Sequence, residues 1–206
     1  ATGYDHSKVF ISLESKVFGI GLESYTVGSS EFCINYAASR GILSLMDNGH
    51  YHPTESVADK IPSMLLFSDR LALHVTRPVR WDSDHVVRFD DETRSIADEL
   101  VRCNALDRTF IALDYFDASI NRIAAWVIGA RNLQKALLIA LLEPTDLLRK
   151  EENSFDFSGR LARLEQIKTL PWNSVWNYYC ESQNLPDDYE FMKQIRRYET
   201  DVLLKR

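Results

Sequence analysis

The stretch "RPVRWDSDHV" (residues 77–86) sets Asp82 and Asp84 on either side of Ser83. In extended backbone, side chains two positions apart point the same way. Two carboxylates aimed at one place repel each other unless a cation lies between them. His50, in "DNGHYH" (47–52), adds a ring nitrogen to such a set, and Asp47, three residues earlier, offers a bridging carboxylate. A histidine with several carboxylates suits Mn²⁺ or a similar ion better than a thiolate-seeking metal. A second set of ligand types is spread along the chain: Glu14, Asp47, His74 and Asp114 follow one another at intervals of 33, 27 and 40 residues.

These intervals are each about one strand plus one helix. Four short apolar runs, "KVFISLE" (8–14), "ILSLMD" (42–47), "LALHV" (71–75) and "FIALD" (110–114), end at or next to the four residues. Runs of this length with few polar positions read as parallel strands covered on both faces. Between them lie helical patterns. "SSEFCINYAASRG" has serine caps and Gly41 just past its end. "HPTESVADKIPSMLLFSD" has a threonine cap, with Pro62 expected to kink or split it. "DDETRSIADELVRCNALD" has an acidic first turn. Strand and helix alternating in this way make βαβ units. In a (β/α) barrel the C-terminal strand ends converge on one site. A lone acidic residue at a strand end more often caps the next helix, but four in phase predict a divalent-cation site. His52 and His85 read either as groups that orient ligands or as hydrogen-bonded turn residues, and His6 as a surface residue.

From about residue 120 the pattern is helical throughout. "DASINRIAAWVIGARNLQKALLIALLEP" starts at an Asp117 or Ser119 cap and stops at Pro144. Residues 151–168 read as one charged amphipathic helix. Pro171 falls at a first helical position, with Trp172, Val175, Trp176 and Tyr179 on one face, and 187–206 closes the chain. Such aromatic and leucine stripes serve core or subunit contacts. The expected division is 1–120, a partial barrel carrying the metal sites, and 121–206, a helical extension for packing and oligomer contacts. A complete (β/α)₈ barrel has eight strands and about 250 residues. Four strands cannot close it. The expected fold is α/β: the C-terminal half, about four βα units, of a TIM-type barrel followed by an α-helical extension. The other strands would come from a longer chain or another polypeptide.

Composition limits the partners. A net charge of −6 over 206 residues and a pI near 5.4, without a basic run, argue against nucleic acid. No apolar stretch approaches the roughly 18 residues that suggest a membrane span. Cys33, Cys103 and Cys180 are odd in number and in no metal-like spacing, so they read as buried thiols in a reducing compartment. The N-terminus has no apolar signal core, and the expected location is cytoplasmic. It also begins almost directly with a strand-like run, which suggests sequence missing upstream.

"LESKVFGIGLESYTVGSSEF", "DNGHYHPTE", "HVTRPVRWDSDHVV", "LDYFDASINRIAAWVIGARN" and "KALLIALLEPT" closely resemble the L-rhamnose isomerases, as does the tail from "SGRLARLEQIKTLPWNSVWNYYC" to "YETDVLLKR". The resemblance covers nearly all of residues 8–206, and members of that family are about twice as long. It implies two divalent cations, usually Mn²⁺, with Zn²⁺ or Co²⁺ as other candidates. The structural cation would be held by Glu14, Asp47, His74 and Asp114, and the catalytic one by His50, Asp82 and Asp84. Lys16, in "ESK", matches a family lysine near the substrate; a salt bridge to Glu14 is its plainer reading. The family resemblance further implies a homotetramer and a role in rhamnose catabolism. The implied reaction is the aldose–ketose interconversion of L-rhamnose and L-rhamnulose. Cations chelating O1 and O2 would favour a hydride shift from C2 to C1, with a cis-enediol route as its rival. Two other readings stand beside it: a divalent-metal hydrolase on a barrel, and a non-catalytic assembly fragment.

Overall fold

A computed structural model describes residues 3–5, 7–16, 28–78 and 84–206, Asp84 by its main chain alone. Six strands occur among them: β1 (Ser12–Glu14), β2 (Leu43–Asp47), β3 (Leu71–Val75), β4 (Arg77–Pro78), β5 (Asp84–His85) and β6 (Thr109–Leu113). Four of these form one sheet in the order β1-β2-β3-β6, with every neighbouring pair parallel. β4 and β5 pair antiparallel as a small ribbon just beyond the end of β3. The first strand is shorter than its apolar run. The N–H groups of Lys8 and Val9 are drawn into a turn on the Asp5 carbonyl, and ladder bonding resumes only where Leu43 donates to Ile11.

The eight helices among the described residues mostly start and stop where local chemistry dictates. α1 (Ser30–Arg40) begins with the Ser29 hydroxyl accepting from Phe32 N–H. It ends at Gly41, whose φ of 62° permits the left-handed cap from which backbone N–H groups donate to the Ala37 and Ala38 carbonyls. α2 is only Lys60–Met64. Pro62 does not kink it, because Pro62 stands in the first turn, where an N–H would have no intrahelical partner. α3 (Asp91–Arg102) is capped by Asp90, which accepts from Thr93 N–H. α4 (Arg122–Leu141) is capped by neither Asp117 nor Ser119. Asn121 Oδ1 accepts from Ile123 and Ala124 N–H, while Asp117 closes a local turn on Ser119.

The single helix expected over 151–168 is two, α5 (Thr145–Asn153) and α6 (Phe157–Lys168). Phe155 takes a positive φ of 60°, and Asp156 restarts the helix by accepting from Gly159 N–H. α7 (Trp172–Ser182) has Pro171 immediately before its first residue rather than at it. Trp176 is buried on this helix, and its indole donates to Asp188. α8 (Glu190–Asp201) completes the helices. The chain falls into two compact units, 1–136 and 137–206. No disulfide joins the three cysteines, and Cys33 and Cys180 are buried while Cys103 is half-buried. No single helix among the described residues is long and apolar enough to cross a membrane.

Side chains alternate across the sheet, and its two faces differ. Met46, Leu71, Leu73 and Val75 lie on one face and are at most 2% exposed; α1 packs over β1 and β2. Burying each such side chain contributes roughly 1.5–3 kcal/mol, so this face anchors the sheet. The other face carries Glu14, Leu45, Asp47, Ala72, His74, Phe110 and Ala112, and its exposure rises toward β6. That face is concave. β1 and β6 are the sheet's two edges, about 14 Å apart if the sheet were flat. Nevertheless the ring of Phe10, just before β1, lies 5.0 Å from that of Phe110 on β6. Side chains standing perpendicular to a flat sheet would keep their separation. The Arg70 guanidinium covers both rings, 5.3 Å from Phe10 and 5.9 Å from Phe110, at the strand-start end.

Candidate metal centre

The opposite end of the concave face gathers the acidic residues. Strand register decides which residues reach one height. Glu14 is paired with Leu45, two residues short of Asp47. Asp47 is level with His74. His74 is level with Ala112, two residues short of Asp114. The ligand positions therefore step forward along the chain from β1 to β6, as they must if tilted strands are to present side chains at one level.

The result is a cluster in which one ligand-type atom from each of Glu14, Asp47, His74 and Asp114 lies within 4.8 Å of all the others. His74 is at its centre. Its Nδ1 stands 3.0 Å from Glu14 Oε1, 3.3 Å from Asp114 Oδ2 and 3.6 Å from Asp47 Oδ2. Asp47 is fully buried, and its Oδ1 accepts from Gly49 N–H at 2.7 Å, which aims the other oxygen into the cluster. These surroundings push the His74 pKa up to about 10. Hydrogen bonding to Asp47 contributes most, then hydrogen bonding to Glu14; burial opposes them, and the Glu14 and Asp114 charges add to the rise. The donor set fits a hard divalent cation: three carboxylates and one imidazole, with no thiolate. In the cation-free chain the imidazolium proton supplies the positive charge.

Two expected outcomes follow from that proton. A histidine whose folded pKa is raised stabilises the fold fully below its ordinary pKa near 6.5, and this contribution is lost as pH rises through about 10. The melting temperature of the cation-free chain therefore falls between pH 7 and pH 10. Loading with Mn²⁺ at neutral pH displaces about one proton. Calorimetric titration in two buffers of different ionisation enthalpy measures that release, and a buffer-independent heat would contradict it.

His50 belongs to the same end of the sheet. It is buried, with Nδ1 3.1 Å from the Ser15 carbonyl and 3.7 Å from Glu14 Oε1. A carbonyl oxygen only accepts, so Nδ1 carries the hydrogen, and in the neutral ring the lone pair is on Nε2. This is the tautomer a metal-binding imidazole needs, held by a partner behind it. Lys16 pairs through its backbone with Gly28, two positions along β1's direction from Glu14. Asp84 lies on β5 with its backbone paired to Pro78; its side chain, and all of Asp82, lie outside the described residues. His52 is exposed, and its Nδ1 accepts from Thr54 N–H in a local turn.

Asn48 and Thr76 carry no signal in the sequence beyond their place next to ligand positions. Asn48 Oδ1 accepts from Thr76 N–H at 2.7 Å, and its Nδ2 donates to the Thr76 carbonyl at 2.9 Å. The amide thereby prolongs the β2–β3 ladder past Asp47 and His74. Asn48 also hydrogen-bonds Glu92, whose carboxyl is pushed up in pKa by burial against the lowering effect of that bond. On the β6 side, Tyr115 follows Asp114, and its hydroxyl donates to the Ala125 carbonyl on α4 at 2.7 Å.

Comparison with known proteins adds to this geometry. Residues 3–206 match the family model "L-rhamnose isomerase (RhaA)". The chain is 59% identical over 195 residues to an L-rhamnose isomerase of Pectobacterium atrosepticum, covering 95% of this chain and 46% of that protein. It is 60% identical over 195 residues to one of Mannheimia succiniciproducens, covering 95% and 47%. It is 56% identical over 203 residues to one of Salmonella paratyphi B, covering 98% and 48%. The chain thus spans about half the length of the curated relatives it matches. With a family model matched along nearly its whole length and relatives at this level of identity, the chain belongs to the L-rhamnose isomerase family.

Proposed function

We propose that this chain carries the cation-binding half of an aldose–ketose isomerase that interconverts L-rhamnose and L-rhamnulose. The observation that carries the reading is the convergence of Glu14, Asp47, His74 and Asp114 in a member of this family. The concave four-stranded parallel sheet and its forward stagger support the C-terminal half of a TIM-type barrel, residues 1–120. Residues 121–206 then form the helical extension, with its stripes in packing and oligomer contacts, tetrameric by analogy with the family. The relatives' greater length supports strands supplied from outside this sequence. A cytoplasmic location suits a catabolic sugar isomerase.

Glu14, Asp47, His74 and Asp114 hold one divalent cation and His50, Asp82 and Asp84 a second, with Mn²⁺ the ion such donors favour. Divalent cations held by these residues would supply Lewis acidity toward the oxygens of the open-chain sugar, the chemistry that favours a hydride shift from C2 to C1. The chain's own groups prepare that event. The Ser15 carbonyl fixes the His50 tautomer. The buried Asp47 keeps one oxygen trained on the centre by bonding Gly49 with the other. Lys16 assists ring opening or balances charge developing on the substrate oxygens. The names of the relatives do not favour a hydrolase.

The test is an L-rhamnose isomerisation assay with Mn²⁺ and with EDTA. It is run on this chain alone and on the chain joined to the N-terminal part of the Pectobacterium relative. Ketose formation by the joined protein, lost in EDTA and restored by Mn²⁺, is expected. A joined protein that folds and binds Mn²⁺ without forming ketose would sink the proposal. Activity confined to the joined protein would make this chain alone an assembly fragment. No solvent deuterium should enter C1; its appearance there would replace the hydride shift by the enediol route.

A further inference from the structure

We propose that Asn48 and Thr76 are positioning residues that couple the two cation sites, an inference that rests on the two-cation reading above. Both are buried, at 3% and 1% exposure. Each is next to or near a ligand of the first cluster: Asn48 follows Asp47, and Thr76 lies two residues beyond His74. Their reciprocal amide–backbone pair locks the end of β2 to the end of β3 after regular pairing has stopped. The next link leaves the first cluster. The Thr76 hydroxyl donates to the His85 carbonyl at 3.0 Å, and His85 follows Asp84 on β5. One hydrogen-bonded path therefore runs from Asp47 and His74, through Asn48 and Thr76, to the strand that carries a ligand of the second set.

The chemistry accounts for the choice of residues. Asn48 is uncharged but presents a donor and an acceptor side by side, so it can imitate a backbone peptide. An aspartate there would lose the donor and add a fourth carboxylate beside the cluster. At position 76 a hydroxyl is needed to reach the His85 carbonyl while the Thr76 backbone N–H and C=O are occupied by Asn48. Valine has nearly the same shape and lacks that donor. Holding the β5 main chain fixes where Asp84 starts, and outer partners of this kind typically change metal affinity by about 10–100-fold.

The experiment measures Mn²⁺ binding from the electron paramagnetic resonance signal of the free ion, on the 206-residue chain and on its fusion to the Pectobacterium N-terminal part. An Asp114→Asn variant marks the first site and a His50→Gln variant the second. Thr76→Val is expected to weaken the second site by roughly 10-fold or more and to leave the first within about twofold. Thr76→Ser, which restores the hydroxyl, is expected to return the second site to within about threefold of the parent. The melting temperature of cation-free Thr76→Val should stay within about 4 °C of the parent. If Thr76→Val binds both ions as the parent does, or weakens both sites equally, the coupling is refuted. If the parent itself binds a single ion in both proteins, the two-cation reading fails first, and this inference falls with it.

Discussion

Asp47→Asn should abolish the stabilisation that Mn²⁺ at the first site gives this chain, while leaving the turn after β2 intact. Asparagine keeps the Oδ1 acceptor that Gly49 N–H uses at 2.7 Å, so the turn after β2 survives. It replaces the second oxygen with an amide NH₂, which cannot ligate a cation and no longer attracts the His74 proton. Three converging carboxylates become two, which lessens their mutual repulsion but takes from the His74 imidazolium its leading hydrogen-bond partner. The parent at 100 times its dissociation constant gains about 2.7 kcal/mol from a bound ion. For a chain of this size that is roughly 5–10 °C in melting temperature. The variant should lose this first-site shift at the same Mn²⁺ concentration, and its cation-free melting temperature should be lower at neutral pH, where the leading cause of the raised His74 pKa is gone, and little changed above pH 10. Asp47→Ala is the control for structure: it strips Gly49 N–H of its acceptor in a buried place and should cost about 1–3 kcal/mol. An Asp47→Asn protein whose Mn²⁺ shift equals the parent's would remove Asp47 from the centre.

Much of this site was legible before any geometry, and for a physical reason. Parallel strands with helical crossovers repeat at a nearly constant length, so residues in phase along the chain share one end of the sheet. Glu14 and Asp47 are the last residues of their strands, His74 is one before the end of β3, and Asp114 one past the end of β6. Convergence of the four needed only that rhythm. The stagger that brings them level did not follow from it, because register depends on which residues of neighbouring strands pair. Asn48 and Thr76 stayed hidden for the same reason. Their roles arise from side chains completing the backbone ladder across 28 residues, and nothing local marks that.

The helical errors have a different origin. Pro62 reads as a kink or a split because a proline inside an apolar pattern usually is one, yet the helix around it starts too late for its missing N–H to matter. The continuous pattern over 151–168 hid a break that needs only Phe155 at a positive φ and Asp156 as a new cap. Hydrophobic periodicity reports which face is covered. It reports poorly where a helix is interrupted for two or three residues.

The placement of Asp114 rests on a glycine fifteen residues beyond it, and Gly129→Ala should expose that dependence. Gly129 lies on α4 against the ring of Tyr115, the residue after Asp114. A methyl group at 129 would run into the Tyr115 hydroxyl and stand 2.8 Å from Cζ and 3.0 Å from Cε1. The ring is rigid and its hydroxyl is tied to the Ala125 carbonyl, so relief requires moving the segment that begins at Asp114. Alanine is the better helix former by about 1 kcal/mol, but overpacking of this kind costs about 1–3 kcal/mol. The net effect should be a melting temperature lower by a few degrees and Mn²⁺ affinity at the first site reduced by roughly 10-fold or more. Tyr115→Phe alone removes the hydroxyl and its bond. Combined with Gly129→Ala it also removes the nearest clash, so the double variant should lose less than the two single losses added together, as expected of residues in contact. Measured melting curves and Mn²⁺ isotherms for the three proteins decide the matter. A Gly129→Ala protein that melts higher and binds Mn²⁺ unchanged would mean that helix propensity prevails and that the Tyr115 ring does not set the position of Asp114.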